Sequence, residues 1–155
     1  MKKLIICLII AITIITGCRY KEGPLISSYS VYTRIKGTWQ IIGLTSEGVD
    51  SLQYYNDSCG SVVKFMEFEQ GTSYNRYIAM VLNYNKNNVR SGTVTFKDNK
   101  NYLNINFGYY YTRIVGPIGY GNSNWEILKL TMKEFKISTD FNGKNYKISF
   151  KKLSL

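Results

Sequence analysis

This 155-residue sequence offers three cysteines and ten Asp and Glu for nucleophilic or acid–base chemistry, and there is no histidine to assist them. Without an imidazole the Ser-His-Asp and Cys-His constellations are absent, as is the commonest zinc ligand. Glu67 and Glu69 stand two residues apart in one alternating run. Carboxylates so close in sequence cannot flank a substrate from two sides, and a solvated strand face is the expected place for them. Cys59 has no base to activate it and reads as a small buried or half-buried residue. No Gly-rich phosphate loop leads into a helix. The residues therefore point away from an enzyme and from a bound metal or cofactor.

One cysteine does have a setting for chemistry. Met1-Lys2-Lys3 precedes twelve residues, Leu4 to Ile15, with no charge and with Thr13 as the one polar member. That run is short for a helix crossing a bilayer, which needs about 20 apolar residues. A basic start, a short apolar stretch and small residues at its end are the anatomy of a cleaved signal peptide. The closing Ile15-Thr16-Gly17-Cys18 resembles a bacterial lipobox. The resemblance implies cleavage before Cys18, a diacylglyceryl thioether on its sulfur and, as a rule, a third acyl chain such as palmitate on its amine. Two or more chains hold a protein stably on a membrane. The expected organisation is a signal peptide at 1–17, a lipidated N-terminus and tether at 18–34, and one domain at 35–155. The expected location is the bacterial cell envelope, lipid-anchored, with the outer membrane as first choice.

Loss of residues 1–17 would remove Lys2 and Lys3 and lower the net charge from +10 to +8. A basic surface can attract anionic headgroups or acidic polymers. The lysines are nevertheless scattered, alternating with apolar residues, and no nucleic-acid motif accompanies them, so a nucleic-acid partner is not expected. With Cys7 lost and Cys18 acylated, Cys59 has no intramolecular disulfide partner, and stability must come from a core. The 14 tyrosines carry little weight by number. Phe, Tyr, Met, Ile, Asn and Lys all have AT-rich codons, and a low-GC genome would enrich them without any functional demand.

From Gly37 onward the texture is β. Period-two alternation runs through Thr38–Thr45, Ser61–Glu69, Tyr74–Tyr84, Val89–Phe96, the segment N-Y-L-N-I-N-F ending at Phe107, Trp125–Thr131, Lys133–Thr139 and Asn145–Leu153. Leu103, Ile105 and Phe107 point one way while Tyr102, Asn104 and Asn106 point the other, as in an antiparallel sheet wet on one side. Asn142-Gly143 suits the positive φ angles of a tight hairpin turn. Eight short strands joined mostly by hairpins, with no helical pattern of ten residues or more, predict an all-β chain folded as an antiparallel up-and-down β-barrel. Residues 108–124 break the pattern: they are rich in glycine and aromatics, and Gly116-Pro117 and Gly119–Asn124 read as loop.

The stretch Ile35-Lys36-Gly37-Thr38-Trp39-Gln40-Ile41, followed by T-S-E-G-V-D, resembles the opening of lipocalin-like domains in small lipoproteins of the Bacteroidetes. The later W-E-I-L-K-L-T-M-K-E-F-K-I and Y-K-I-S-F-K-K are similar to their ending. The resemblance implies a lipocalin-like barrel in which Trp39 closes one end, often beneath an arginine of the last strand; here that strand offers Lys151 and Lys152 instead. Barrels of this kind commonly hold a small apolar or amphipathic ligand. The inward candidates for such a site are Phe96, Leu103, Ile105, Phe107, Phe135 and Ile137, which equally suit a plain core. The alternative is a filled barrel acting as an envelope interaction module. Its partner protein would meet the loop of Tyr109, Tyr110, Tyr111 and Tyr120, since three consecutive tyrosines cannot all face a core and tyrosine is enriched at interfaces.

Overall fold

A computed structural model describes residues 20–22, 28–53, 62–69, 76–84, 88–107 and 122–154, with the backbone alone described at 62–69, 76–84 and 88–91. Cys18, Cys59 and the loop tyrosines Tyr109, Tyr110, Tyr111 and Tyr120 lie outside the described residues. A short helix, α1 (Val31–Ile35), leads into nine strands: β1 (Gly37–Ser46), β2 (Val49–Asp50), β3 (Val62–Glu69), β4 (Arg76–Tyr84), β5 (Asn88–Lys97), β6 (Tyr102–Asn106), β7 (Asn122–Leu130), β8 (Glu134–Phe141) and β9 (Lys144–Ser154). Each strand from β3 to β9 pairs antiparallel with the next. β1 then pairs with both β3 and β9, so eight strands close on themselves. β3 occupies one edge of β1 only over Gly37–Gln40, and the two-residue β2 takes that edge at Thr45 and Ser46.

The alternation seen in the sequence is what fills the barrel. Trp39 and Ile41 of β1, Leu103 and Ile105 of β6, Trp125 and Ile127 of β7, Phe135 and Ile137 of β8, and Ile148 and Phe150 of β9 are all buried. A bulge at Ile41–Gly43 shifts the parity of β1, exposing Ile42 and turning Leu44 inward. A second bulge at Ile127–Lys129 does the same in β7 and brings Leu130 into the core. Bulges of this kind add local twist, which a sheet needs in order to close. Three turns take the positive φ angles that their Asn, Asp and Gly residues tolerate. Glu47-Gly48, Asp98-Asn99-Lys100 and Asn142-Gly143 all lie in the left-handed region.

The structure differs from the sequence reading in two places. Residues 122–124, expected to be loop, form the start of β7 opposite Asn104–Asn106. Their polar composition hid an ordinary strand. Asn104 Nδ2 donates outside the barrel to the Oδ1 atoms of Asn122 and Asn124, while Ser123 turns inward. The described part of the tether expected at 18–34 is packed against the barrel. Tyr20 is 2% exposed, the amide of Glu22 donates to the carbonyl of Leu128, and Val31 and Ile35 belong to the core. A sequence rich in Gly, Pro and Ser gave no sign that a single aromatic, Tyr20, would hold it down.

One close approach limits what the wall of β5 can accept. A Cβ at Gly92 would come within 2.7 Å of the Asn106 carbonyl oxygen and 2.8 Å of the Phe107 ring. The Asn106 carbonyl is backbone and cannot swing aside, so Gly92→Ala should cost about 1–3 kcal/mol. Urea unfolding of both proteins checks this, with the loss read from the shift in midpoint at unchanged slope.

Candidate functional site

The two ends of the barrel are built differently. At one end Ser30 Oγ accepts from the amide of Thr33 and starts α1, whose five residues lay Val31, Arg34 and Ile35 into the barrel. The last turn of a helix leaves carbonyls without amide partners. Trp39 Nε1 donates to the Ile35 carbonyl at 2.7 Å and so ties the indole to the end of the helix. The indole lies 5.8 Å from the Phe135 ring, which stacks on Phe150 at 5.0 Å. Lys152 Nζ stands 4.8 Å over the Trp39 ring and donates to the carbonyls of Arg34 and Lys36 at 2.8 and 2.7 Å. Lys152 continues the inward parity of Tyr146, Ile148 and Phe150, and that parity is the signal by which the sequence could have identified it. Burial lowers its pKa below the ordinary lysine value, while the indole face and the two carbonyls favour the charged form.

Arg34 completes this plug. It is 5% exposed, its Nη1 donates to the Leu130 carbonyl at 2.7 Å, and its guanidinium lies 5.5 Å over the Tyr20 ring. Tyr32 meets Phe96 edge-on at 5.2 Å on the other side of α1. The end beneath Trp39 is thus shut by side chains from both chain termini.

At the opposite end the interior is lined by Leu44, Phe107, Ser123 and the half-buried Tyr146. Half-buried Leu52 packs against the core, and the amide of its neighbour Ser51 donates to the Leu44 carbonyl. Trp125, the next inward residue of β7 after Ser123, is fully buried, and its Nε1 donates to Ser123 Oγ at 2.9 Å. The six inward candidates named from the sequence do not form one patch. Leu103, Ile105, Phe135 and Ile137 are 0% exposed within the packed core, and Phe96 sits at the plugged end beside Tyr32. Phe107 is the one at the opposite end. Leu44, Ser123 and Tyr146 were missed, because a bulge, a short polar residue and a tyrosine give no inward signal of their own. Among the described residues no three of His, Cys, Asp and Glu come together as a metal site would require.

An eight-stranded up-and-down barrel with one end plugged beneath a Gly-Thr-Trp tryptophan has the lipocalin architecture. The fold is lipocalin-like. No protein-family model matches the chain, and no curated protein is similar to it. Among solved structures it is similar to a lipocalin-like protein from Bacteroides uniformis, at 14% identity and a TM-score of 0.42, over 77% of this chain and 99% of that one.

The N-terminal segment is held by ion pairs as well as by Tyr20. Glu22 meets Lys136 at 2.7 Å, and Lys21 meets Glu126 at 2.8 Å. The hydrogen bond from Lys136 lowers the pKa of Glu22, with further help from the charge of Lys136 and of its neighbours Lys129 and Lys147. A lowered carboxylate pKa stabilises the fold above the ordinary value of 4.5, and the contribution fades as acidification passes through the lowered value. For a pair this exposed the effect is at most about 1 kcal/mol. Glu22→Gln should therefore melt slightly lower than the parent at neutral pH, with the two melting temperatures converging in strong acid. At the plug, Lys152→Met leaves two carbonyls without their donor and should cost about 1–3 kcal/mol. Lys152→Arg should recover most of that loss in the same urea titration.

Proposed function

We propose that this chain is a lipid-anchored protein of the bacterial envelope, attached through Cys18, whose barrel binds one small apolar or amphipathic molecule at the end opposite Trp39. The asymmetry of the barrel carries this reading. Among the described residues one end is plugged by α1, Trp39, Arg34 and Lys152, whereas at the other the inward side chains are Leu44, Phe107, Ser123 and Tyr146. A cup with an apolar lining and few polar groups suits a small ligand, and eight strands leave room for one at most. Ser123 and Tyr146 would orient its polar end, with Phe107 and Leu44 against its apolar body. Such a molecule would be bound and released unchanged, with no catalytic residue.

A second reading rests on the depth of packing. Leu103, Ile105, Phe135, Ile137, Trp39 and Trp125 are all 0% exposed, so side chains fill the lower barrel. A barrel filled throughout would act through its surface, as an envelope interaction module meeting a partner at Tyr109, Tyr110, Tyr111 and Tyr120. Native mass spectrometry of residues 19–155, purified gently from a bacterial host, separates the two. A reproducible excess mass that is lost on denaturation is the result expected for an occupied cup. A bare chain mass that persists after incubation with fatty acids and membrane lipids would refute ligand binding and leave the tyrosine loop as the working surface.

A further inference from the structure

The lysines that look scattered in the sequence gather on the barrel. Each described connection at the plugged end carries one or more: Lys36 between α1 and β1, Lys97 and Lys100 about the β5–β6 turn, and Lys133 between β7 and β8. Lys151 stands beside them, opposite Glu134 in the β8–β9 register. All five are exposed, and among the described residues none has a carboxylate within ion-pair distance. The nearby acids are mostly engaged: Glu134 with Lys129, Glu126 with Lys21 and Glu22 with Lys136. Asp98 is the one acidic side chain of the β5–β6 turn. Apolar groups stand among the lysines. Leu153 is 53% and Ile42 49% exposed, and Ile42 and Met132 line a shallow depression together with Lys133 and Lys151. Lysines around exposed aliphatic groups can lay their stems on apolar surface while the ammonium reaches outward, which suits a lipid–water interface.

The same end is the one nearest Cys18. Tyr20 is 2% exposed and pinned beneath the guanidinium of Arg34, whose Nη1 holds the last carbonyl of β7. Cys18 is two residues earlier, so its Cα lies within about 7 Å of that of Tyr20. Acyl chains on Cys18 would hold this end of the barrel about a Debye length, roughly 8 Å, from the headgroups, where attraction between lysines and anionic lipid is felt.

We propose that the plugged end is the face the barrel lays on the membrane, with Lys36, Lys97, Lys100, Lys133 and Lys151 against anionic lipid headgroups and the opposite end turned away. The proposal rests on acylation of Cys18. It gives the short connection after the anchor a purpose, since a long flexible spacer would leave the barrel free to present any face.

Amine footprinting of the acylated full chain tests it. The protein is reconstituted in vesicles of phosphatidylglycerol and phosphatidylethanolamine, and separately in phosphatidylcholine alone. It is then acetylated briefly and read by peptide mass spectrometry. Lys36, Lys100 and Lys133 should react several-fold more slowly on the anionic vesicles. Lys144, the first residue of β9 at the opposite end, should react equally on both. An acylated N-terminal peptide with the same rates at all four lysines on both vesicles would overturn the orientation while leaving the anchor standing. Equal protection of the three on both kinds of vesicle would overturn the recognition of anionic headgroups. An N-terminal peptide without acyl mass would sink the anchor and this proposal with it.

Discussion

Closure of one end of the barrel around the Trp39 indole is the constraint on which the rest of the structure depends. Eight strands leave an interior that side chains can just fill, and an end left open to water would expose the rings of Phe135 and Phe150. The indole blocks that end, and its N–H also satisfies the terminal carbonyl of α1, joining a hydrophobic seal to a helix stop. Lys152 then bridges the seal from the far end of the chain, with its charge over the ring and its protons on two carbonyls. First and last strands are thereby fastened at the place where their pairing closes the sheet.

From this closure follows the difference between the two ends. Rigid, fully buried side chains occupy the barrel from Trp39 to Trp125, and smaller or more polar groups line the remainder. Close packing of that kind holds the walls steady along the described strands. The N-terminal segment is tied into the same plug, because Arg34 spans the Leu130 carbonyl and the Tyr20 ring. The described N-terminal residues and the sealed end of the barrel thus become one structural unit.

Strand existence was legible because alternation with period two reports which face is wet. N-Y-L-N-I-N-F announced β6, and the positive φ values at Asn142 and Gly143 match the turn read from their side chains. The start of β7 was not legible, since Asn122 and Asn124 gain their place only by bonding to Asn104 across the sheet. Lys152 was noted for its position in the last strand, and it shares the parity of Ile148 and Phe150, but nothing local says that it would stand over the Trp39 indole. Tyr20 and Arg34 gave no local sign of burial; the guanidinium of Arg34 lies over the Tyr20 ring and reaches the Leu130 carbonyl from across the fold.

By itself the sequence determined the β class, most of the strand spans and the Asn142-Gly143 turn, because each depends on neighbours within a few residues. Only the tertiary structure decided which of the inward residues reach the end opposite Trp39, which basic side chain stands over Trp39, and where the lysines collect. Those outcomes depend on the two bulges and on the closure between β1 and β9, which bring residues more than a hundred positions apart into contact. Alternation along one strand carries no record of which strand will lie beside it.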